Sequence, residues 1–222
     1  MKYFILNYSL IIPIYNEGHS LNKLLRQLQK FDGSIEIIII DDGSNDNTRE
    51  ILKNQSSFKV IRHQKNLGKG ASITSGINGA NNEIIILMDG DLEVELSCIK
   101  DGIKVYESYY PDVVINGCRW NEKSNSGFNI NTYGNFIINY IFNKLYKTNI
   151  KDVLCCVKIF EKELFNSLNI TSKSFSIEIE IMSKLALKRK KINEIDVVYN
   201  RRSSNDGKKL KFSDAWGILW KM

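Results

Sequence analysis

The chain has 222 residues, 43% of them apolar and 25% charged, with a formal net charge of +6. These values are ordinary for a soluble globular protein long enough to bury a sizeable core. No run of about 18 apolar residues occurs, so no membrane span is expected, and Asn7 and Ser9 interrupt the apolar start, so no signal sequence is expected.

In chain order, the apolar runs Ser9–Ile14 (SLIIPI), Ile35–Ile40 (IEIIII), Phe58–Ile61 (FKVI) and Glu83–Met88 (EIIILM) are short and rich in β-branched residues. Runs of that kind are expected of strands buried on both faces of a parallel sheet. Between them lie helical patterns. Leu21, Leu24, Leu25 and Leu28 form one apolar stripe behind a candidate cap at Ser20, a second helix is expected after Asp46 or Asn47, and a third over about 69–78. Strand and helix alternating at this spacing predict an α/β fold with a doubly wound, mostly parallel sheet flanked by helices, in a single domain. A final helix is expected to begin at Ser213 or Asp214 and to place Trp216, Leu219 and Trp220 on one face.

The four cysteines, Cys98, Cys118, Cys155 and Cys156, lack C-x-x-C spacing, and only His19 and His63 could join them on zinc. They read as buried thiols of a reduced, cytosolic protein. Charge is uneven: residues 188–211 hold nine basic and three acidic side chains, which accounts for the whole net excess. Such a segment calls for an anionic partner, either phosphate groups, acidic lipid or nucleic acid. Only Tyr199 stands there as a stacking aromatic, which argues against nucleic acid.

In a doubly wound sheet, ligands sit beyond the carboxyl ends of the strands. The first strand here leads to PIYNE, the second to DDGS, the third to HQKNLGKG and the fourth to DGD. Each piece alone is weak. NLGKG does not have P-loop spacing, and DDGS alone reads equally well as an Asx-turn that caps a helix. Four such pieces on one rim converge polar and acidic groups from distant parts of the chain. Asp89 and Asp91 flank Gly90 and repel each other unless a cation lies beside them. Mg²⁺ or Mn²⁺ suits such a pair, because these ions take oxygen ligands and keep positions open for phosphates. Gly90 is read as letting the backbone approach a ligand.

PIYNE, DDGS, NLGKG and DGD in this order resemble family 2 glycosyltransferases with the GT-A fold. The segments beginning at Thr132 (TYGNFIINYIFNKLYKTNIKDVLCCVKIF), Phe175 (FSIEIEIMSK) and Val197 (VVYNRRSSNDGKKLKFSDAWGIL) extend the likeness to the branch that contains dolichyl-phosphate mannose synthase and bacterial polyprenyl-phosphate glycosyltransferases. The resemblance implies a donor half over about 9–118 and an acceptor half over about 119–222. It implies a GDP- or UDP-sugar donor, a lipid-phosphate acceptor at the membrane surface, and inverting, metal-dependent transfer. It places Pro13, Tyr15, Glu17, Ile40 and Asp42 around the nucleotide, and Asp89, Gly90 and Asp91 at the diphosphate, with Asp89 and Asp91 on the metal. Arg119 is implied near the transferred phosphates and Glu180 behind the sugar. Arg202, Lys208 and Lys209 belong to a segment that closes over the phosphates. For a hydroxyl acceptor, which needs a general base, Asp152 is the candidate. NTYGN stands where mannose synthases carry an arginine and a serine for the acceptor phosphate. Peripheral attachment at the cytoplasmic face is expected through residues 188–211 and the final helix.

Other classes fit less well. A phosphoacceptor receiver domain is about half this length. A sugar nucleotidyltransferase needs a glycine-rich basic loop after the first strand, where this chain has PIYNEGHS. A non-catalytic sugar-nucleotide binder differs only in lacking transfer.

Overall fold

The computed structural model describes residues 6–31, 33–111, 113–122, 124, 130–202 and 214–222. Seven strands, β1 (Tyr8–Ile14), β2 (Ile35–Asp41), β3 (Lys59–Arg62), β4 (Ile84–Leu87), β5 (Val114–Cys118), β6 (Lys158–Glu161) and β7 (Ile192–Asp196), form one sheet in the order β3-β2-β1-β4-β6-β5-β7. β6 runs antiparallel to β4 and β5, and every other pairing is parallel. The mostly parallel α/β sheet read from the sequence is therefore present, with one reversed strand in its second half.

The apolar runs lack alternation because both faces of the sheet are covered. Along β1, Leu10, Ile12 and Ile14 enter one core with Leu21, Leu24, Leu25 and Leu28 of α1 (Gly18–Leu28) and Ile99 and Tyr106 of α4 (Ser97–Tyr109). Ile11, between them, enters the opposite core with Ile73 and Ile77 of α3 (Lys69–Gly79), Ile138 and Phe142 of α5 (Ile130–Tyr146), and α7 (Ile177–Leu187). Side chains alternate across a strand, so a strand covered on both sides is apolar at nearly every position. Two short helices, α2 (Thr48–Lys53) and α6 (Lys162–Ser167), complete the layers, and α8 (Asp214–Lys221) ends the chain.

The expected cap of α1 shifts. The helix begins at Gly18, and Ser20 instead donates its hydroxyl to the Glu17 carboxylate at 2.8 Å. α8 starts at Asp214 as expected, while Ser213 and the side chains of Trp216 and Leu219 lie outside the described residues.

Candidate active site

Parallel strands deliver their carboxyl ends to one edge, and a cavity of about 650 Å³ opens there. Its walls come from all the expected pieces: Pro13, Tyr15 and Glu17 after β1, Asp42 after β2, Gly68 and Lys69 before α3, and Asp89, Gly90 and Asp91 after β4. Arg119 and Arg202 close it from the second half of the chain. Lys208 and Lys209 lie outside the described residues.

Local hydrogen bonds tie these loops into one rim. Asn16 N donates to Ser44 Oγ, and Asn45 N donates to Asn16 Oδ1, each at 2.9 Å, which locks the β1 loop to the β2 loop. Asp42 Oδ1 accepts from Leu67 N at 2.9 Å and lies 2.7 Å from His63 Nδ1, while Oδ2 accepts from Gly68 N at 2.8 Å. Asp42 thus lines the cavity and also shapes the NLGKG turn beside it. Gly68 has φ +98°, and a Cβ there would meet Lys173 O at 2.2 Å, so this turn requires glycine for both conformation and space. Arg202 spans the cavity: Nη1 meets Glu17 Oε2 at 2.9 Å, Nη2 donates to Ser20 Oγ at 3.2 Å, and its backbone N donates to Glu93 Oε1 at 3.0 Å.

Three sequence readings are corrected. Ile40 is fully buried in the core beside α3 and does not face the cavity. Glu180 points away: its carboxylate accepts from Thr171 N and Ser172 N and pairs with Lys184 at 2.8 Å. Burial opposes its ionisation, but Lys184 and the Ser172 and Thr171 donors outweigh it and bring the pKa down to about 2. Asp152 does not line the cavity, and its side chain is 2% exposed. Both its oxygens accept from the Arg119 guanidinium at 2.8 Å, and Arg119 N donates to it at 3.0 Å, so Asp152 sets the position of Arg119. Gly90 lines the cavity as read, and packing also requires glycine there: a Cβ would lie 2.4 Å from Ile14 Cγ2 and 2.9 Å from Ile12 Cγ2.

Two residues that sequence reasoning left unassigned complete the site. Lys69 Nζ lies 2.7 and 2.8 Å from the two oxygens of Asp89 and 2.8 Å from Glu178 Oε1. Burial disfavours its charge, but Asp89 and Glu178 outweigh that and hold the ammonium well above the ordinary lysine range. The lysine stands within the quoted NLGKG. Glu178 is two residues before Glu180, about 200° away around a helix, so only one of the pair can face the cavity.

A divalent cation fits the donor set. Asp89 and Asp91 both present carboxylates at the cavity wall. Two carboxylates suit an ion that completes its shell with water and substrate phosphate. Burial, then the charges of Asp89 and Glu93, push the Asp91 carboxyl up to about 7, a crowding that a cation would relieve.

The sheet order and the acidic rim define the GT-A fold. Glucosyl-3-phosphoglycerate synthase from Mycobacterium tuberculosis, solved with Mn²⁺, uridine diphosphate and phosphoglyceric acid, superposes with a TM-score of 0.75 at 14% identity, covering 97% of this chain and 77% of that one. The chain belongs to glycosyl transferase family 2, whose family model matches residues 9–168. Among curated relatives, an undecaprenyl-phosphate 4-deoxy-4-formamido-L-arabinose transferase from Photorhabdus laumondii is 30% identical over 209 residues, 90% of this chain and 62% of its own length. A dodecaprenyl-phosphate galacturonate synthase from Rhizobium johnstonii is 24% identical over 174 residues, 74% of this chain and 51% of its own length. The chain thus spans about half to three-fifths of the length of these relatives.

Proposed function

We propose that the chain is the catalytic part of an inverting glycosyltransferase that moves a sugar from a nucleotide-diphospho-sugar, a GDP- or UDP-sugar, to a polyprenyl phosphate. The observation that carries this reading is the cavity itself, where Asp42, Asp89 and Asp91 share one rim with Lys69, Arg119 and Arg202. Acidic groups suit ribose hydroxyls and a cation, and the basic groups suit phosphates on both sides of the sugar. The names of the two curated relatives add the acceptor class.

In this mechanism Glu17 and Asp42 orient the nucleotide. Arg202, already spanning from Glu17 to the Glu93 loop, holds the diphosphate and keeps water out. Arg119, fixed by Asp152, faces the incoming phosphate. A phosphate oxygen of the acceptor attacks the anomeric carbon as that carbon's bond to the diphosphate breaks, and the negative charge leaves on the nucleoside diphosphate. The acceptor phosphate is already ionised at neutral pH, so no side chain has to remove a proton. Bound Mg²⁺ or Mn²⁺, held by Asp89 and Asp91, would supply Lewis-acid stabilisation of the leaving diphosphate. The residues' remaining task is positioning.

We place the protein peripherally at the cytoplasmic face of the membrane. Among the described residues no helix is long and apolar enough to cross a membrane. α5 supports attachment: it carries no acidic residue and leaves Tyr133, Ile137 and Tyr140 exposed along one stripe, with Leu145 exposed near its end. Beside its end, where Tyr146 Oη donates to Met222 O, Trp220 of α8 is 88% exposed. Exposed aromatic and aliphatic groups next to lysines suit the headgroup boundary.

The test is transfer from UDP- and GDP-sugars to a polyprenyl phosphate and, separately, to sugar hydroxyl acceptors. A glycolipid product that disappears in Asp91→Ala, with folding intact, supports the proposal. Transfer to hydroxyl acceptors alone overturns the acceptor, and full activity of Asp91→Ala overturns the metal.

A further inference from the structure

From the cavity wall inward runs a chain of alternating charges whose pairing the mechanism above leaves unexplained. Asp89 meets Lys69, Lys69 meets Glu178, and Glu178 Oε2 lies 3.5 Å from Lys158 Nζ. Lys158 is fully buried and is held in place by Asn116 Oδ1 at 3.0 Å and Cys155 O at 2.6 Å. Glu178 is 5% exposed. The four groups sum to zero charge, and each interior member is shared between two partners. Both Asp89 oxygens, the ones a divalent cation would need, are taken by one ammonium.

We propose that Lys69 is a resident counter-ion for Asp89, which a divalent cation and the donor diphosphate must displace together, with Glu178 as the anchor that keeps the displaced ammonium in the site. The proposal rests on the reading of the cavity as a nucleotide-diphospho-sugar site. Its logic is charge balance in a buried place. A cation that enters alone takes an Asp89 oxygen, strands Lys69 beside it, and leaves two positive groups in contact with poor screening. A diphosphate that enters alone meets Asp89 and Asp91 without compensation. When both enter, the diphosphate offsets the metal and gives the ammonium a new partner. Lys69 then turns about Glu178, whose other oxygen stays near Lys158. Metal and donor each bind weakly alone and strongly together, and linkage makes the effect reciprocal.

The experiment measures Mn²⁺ binding by electron paramagnetic resonance, with and without UDP, in wild type, Lys69→Met and Glu178→Gln, alongside thermal unfolding without ligands. Lys69→Met removes the competing charge while keeping the side chain's length. It should bind Mn²⁺ about tenfold more tightly without UDP, within the usual range of coupling between sites, and gain less from added UDP. Glu178→Gln should bind Mn²⁺ more weakly than wild type, because the ammonium then rests on Asp89 alone. A network that is only structural would weaken both variants in the same direction. Equal or lower Mn²⁺ affinity in folded Lys69→Met overturns the proposal. If that variant does not fold, Glu178→Gln decides alone, and affinity equal to or above wild type overturns it. No Mn²⁺ binding by any of the three proteins, even with UDP, overturns the metal reading itself and this proposal with it.

Discussion

Replacing Asp152 with asparagine separates a positioning role from a base. The carboxylate accepts two side-chain hydrogen bonds of 2.8 Å and one backbone hydrogen bond of 3.0 Å from Arg119, with both side chains largely buried. An asparagine amide turns an NH₂ toward the guanidinium and leaves a buried cation without its counter-charge. Removing one partner of a buried pair costs about 3–5 kcal/mol. Arg119 also lies 5.2 Å from the Trp120 ring and 5.5 Å from the Tyr199 ring, contacts that survive the change and favour the lower end of that range. At about 2–4 °C per kcal/mol for a chain of this size, a loss of about 3 kcal/mol lowers the melting temperature by about 6–12 °C. Transfer at saturating donor should fall as Arg119 loses its fixed orientation, while the pH–rate profile should keep its shape because both oxygens of this carboxylate serve Arg119. The assays are thermal unfolding and kcat/KM from pH 5 to 9. Wild-type stability combined with loss of the acidic limb would show that Asp152 takes a proton and refute the positioning role.

Gly90→Ala should destabilise by about 1–3 kcal/mol through overpacking against Ile14 and Ile12, read by urea unfolding; a neutral result would return Gly90 to the ligand. Asp42→Asn sets an NH₂ against Gly68 N, so the donor's Kd by calorimetry should rise far more than kcat falls. Glu180 has its folded pKa lowered from 4.5 to about 2, so its contribution, about 1–2 kcal/mol after solvent screening, is present above pH 4.5 and lost as pH falls toward 2. Glu180→Gln should therefore be less stable than wild type at pH 7, with the gap closing at pH 2; a gap independent of pH would assign the loss to packing. Tyr140→Ser combined with Trp220→Ser should reduce co-sedimentation with anionic vesicles at low salt, while UDP binding stays unchanged.

The first half of the chain was legible because β1, β2 and β4 are buried on both sides and end in short polar loops. A run such as Ile37 to Ile40 has no other good place than the middle of a covered sheet, and the loop at its carboxyl end must lie on the rim. Position along a strand therefore told where Asp42, Asp89 and Asp91 would be. Direction of a side chain was harder to read. Ile40 immediately precedes DDGS, yet in an alternating strand its side chain belongs to the face covered by α3. In FSIEIEIMSK, alternation of Glu and Ile looks like a strand, but the segment is a helix buried nearly all round, so neither glutamate is marked by an apolar stripe. What separates them is the partner each meets: Glu178 finds Lys69 and Lys158, while Glu180 finds Lys184 and the Thr171–Ser172 backbone. Those partners come from 109, 20, 4 and 8–9 residues away in sequence, and only the fold brings the first of them within reach. The same reasoning explains Asp152. An acidic residue in a loop near an acceptor reads as a base until a guanidinium 33 positions earlier is found to occupy both of its oxygens. The rim of this site was written in local motifs; its charge pairing was written in contacts between them.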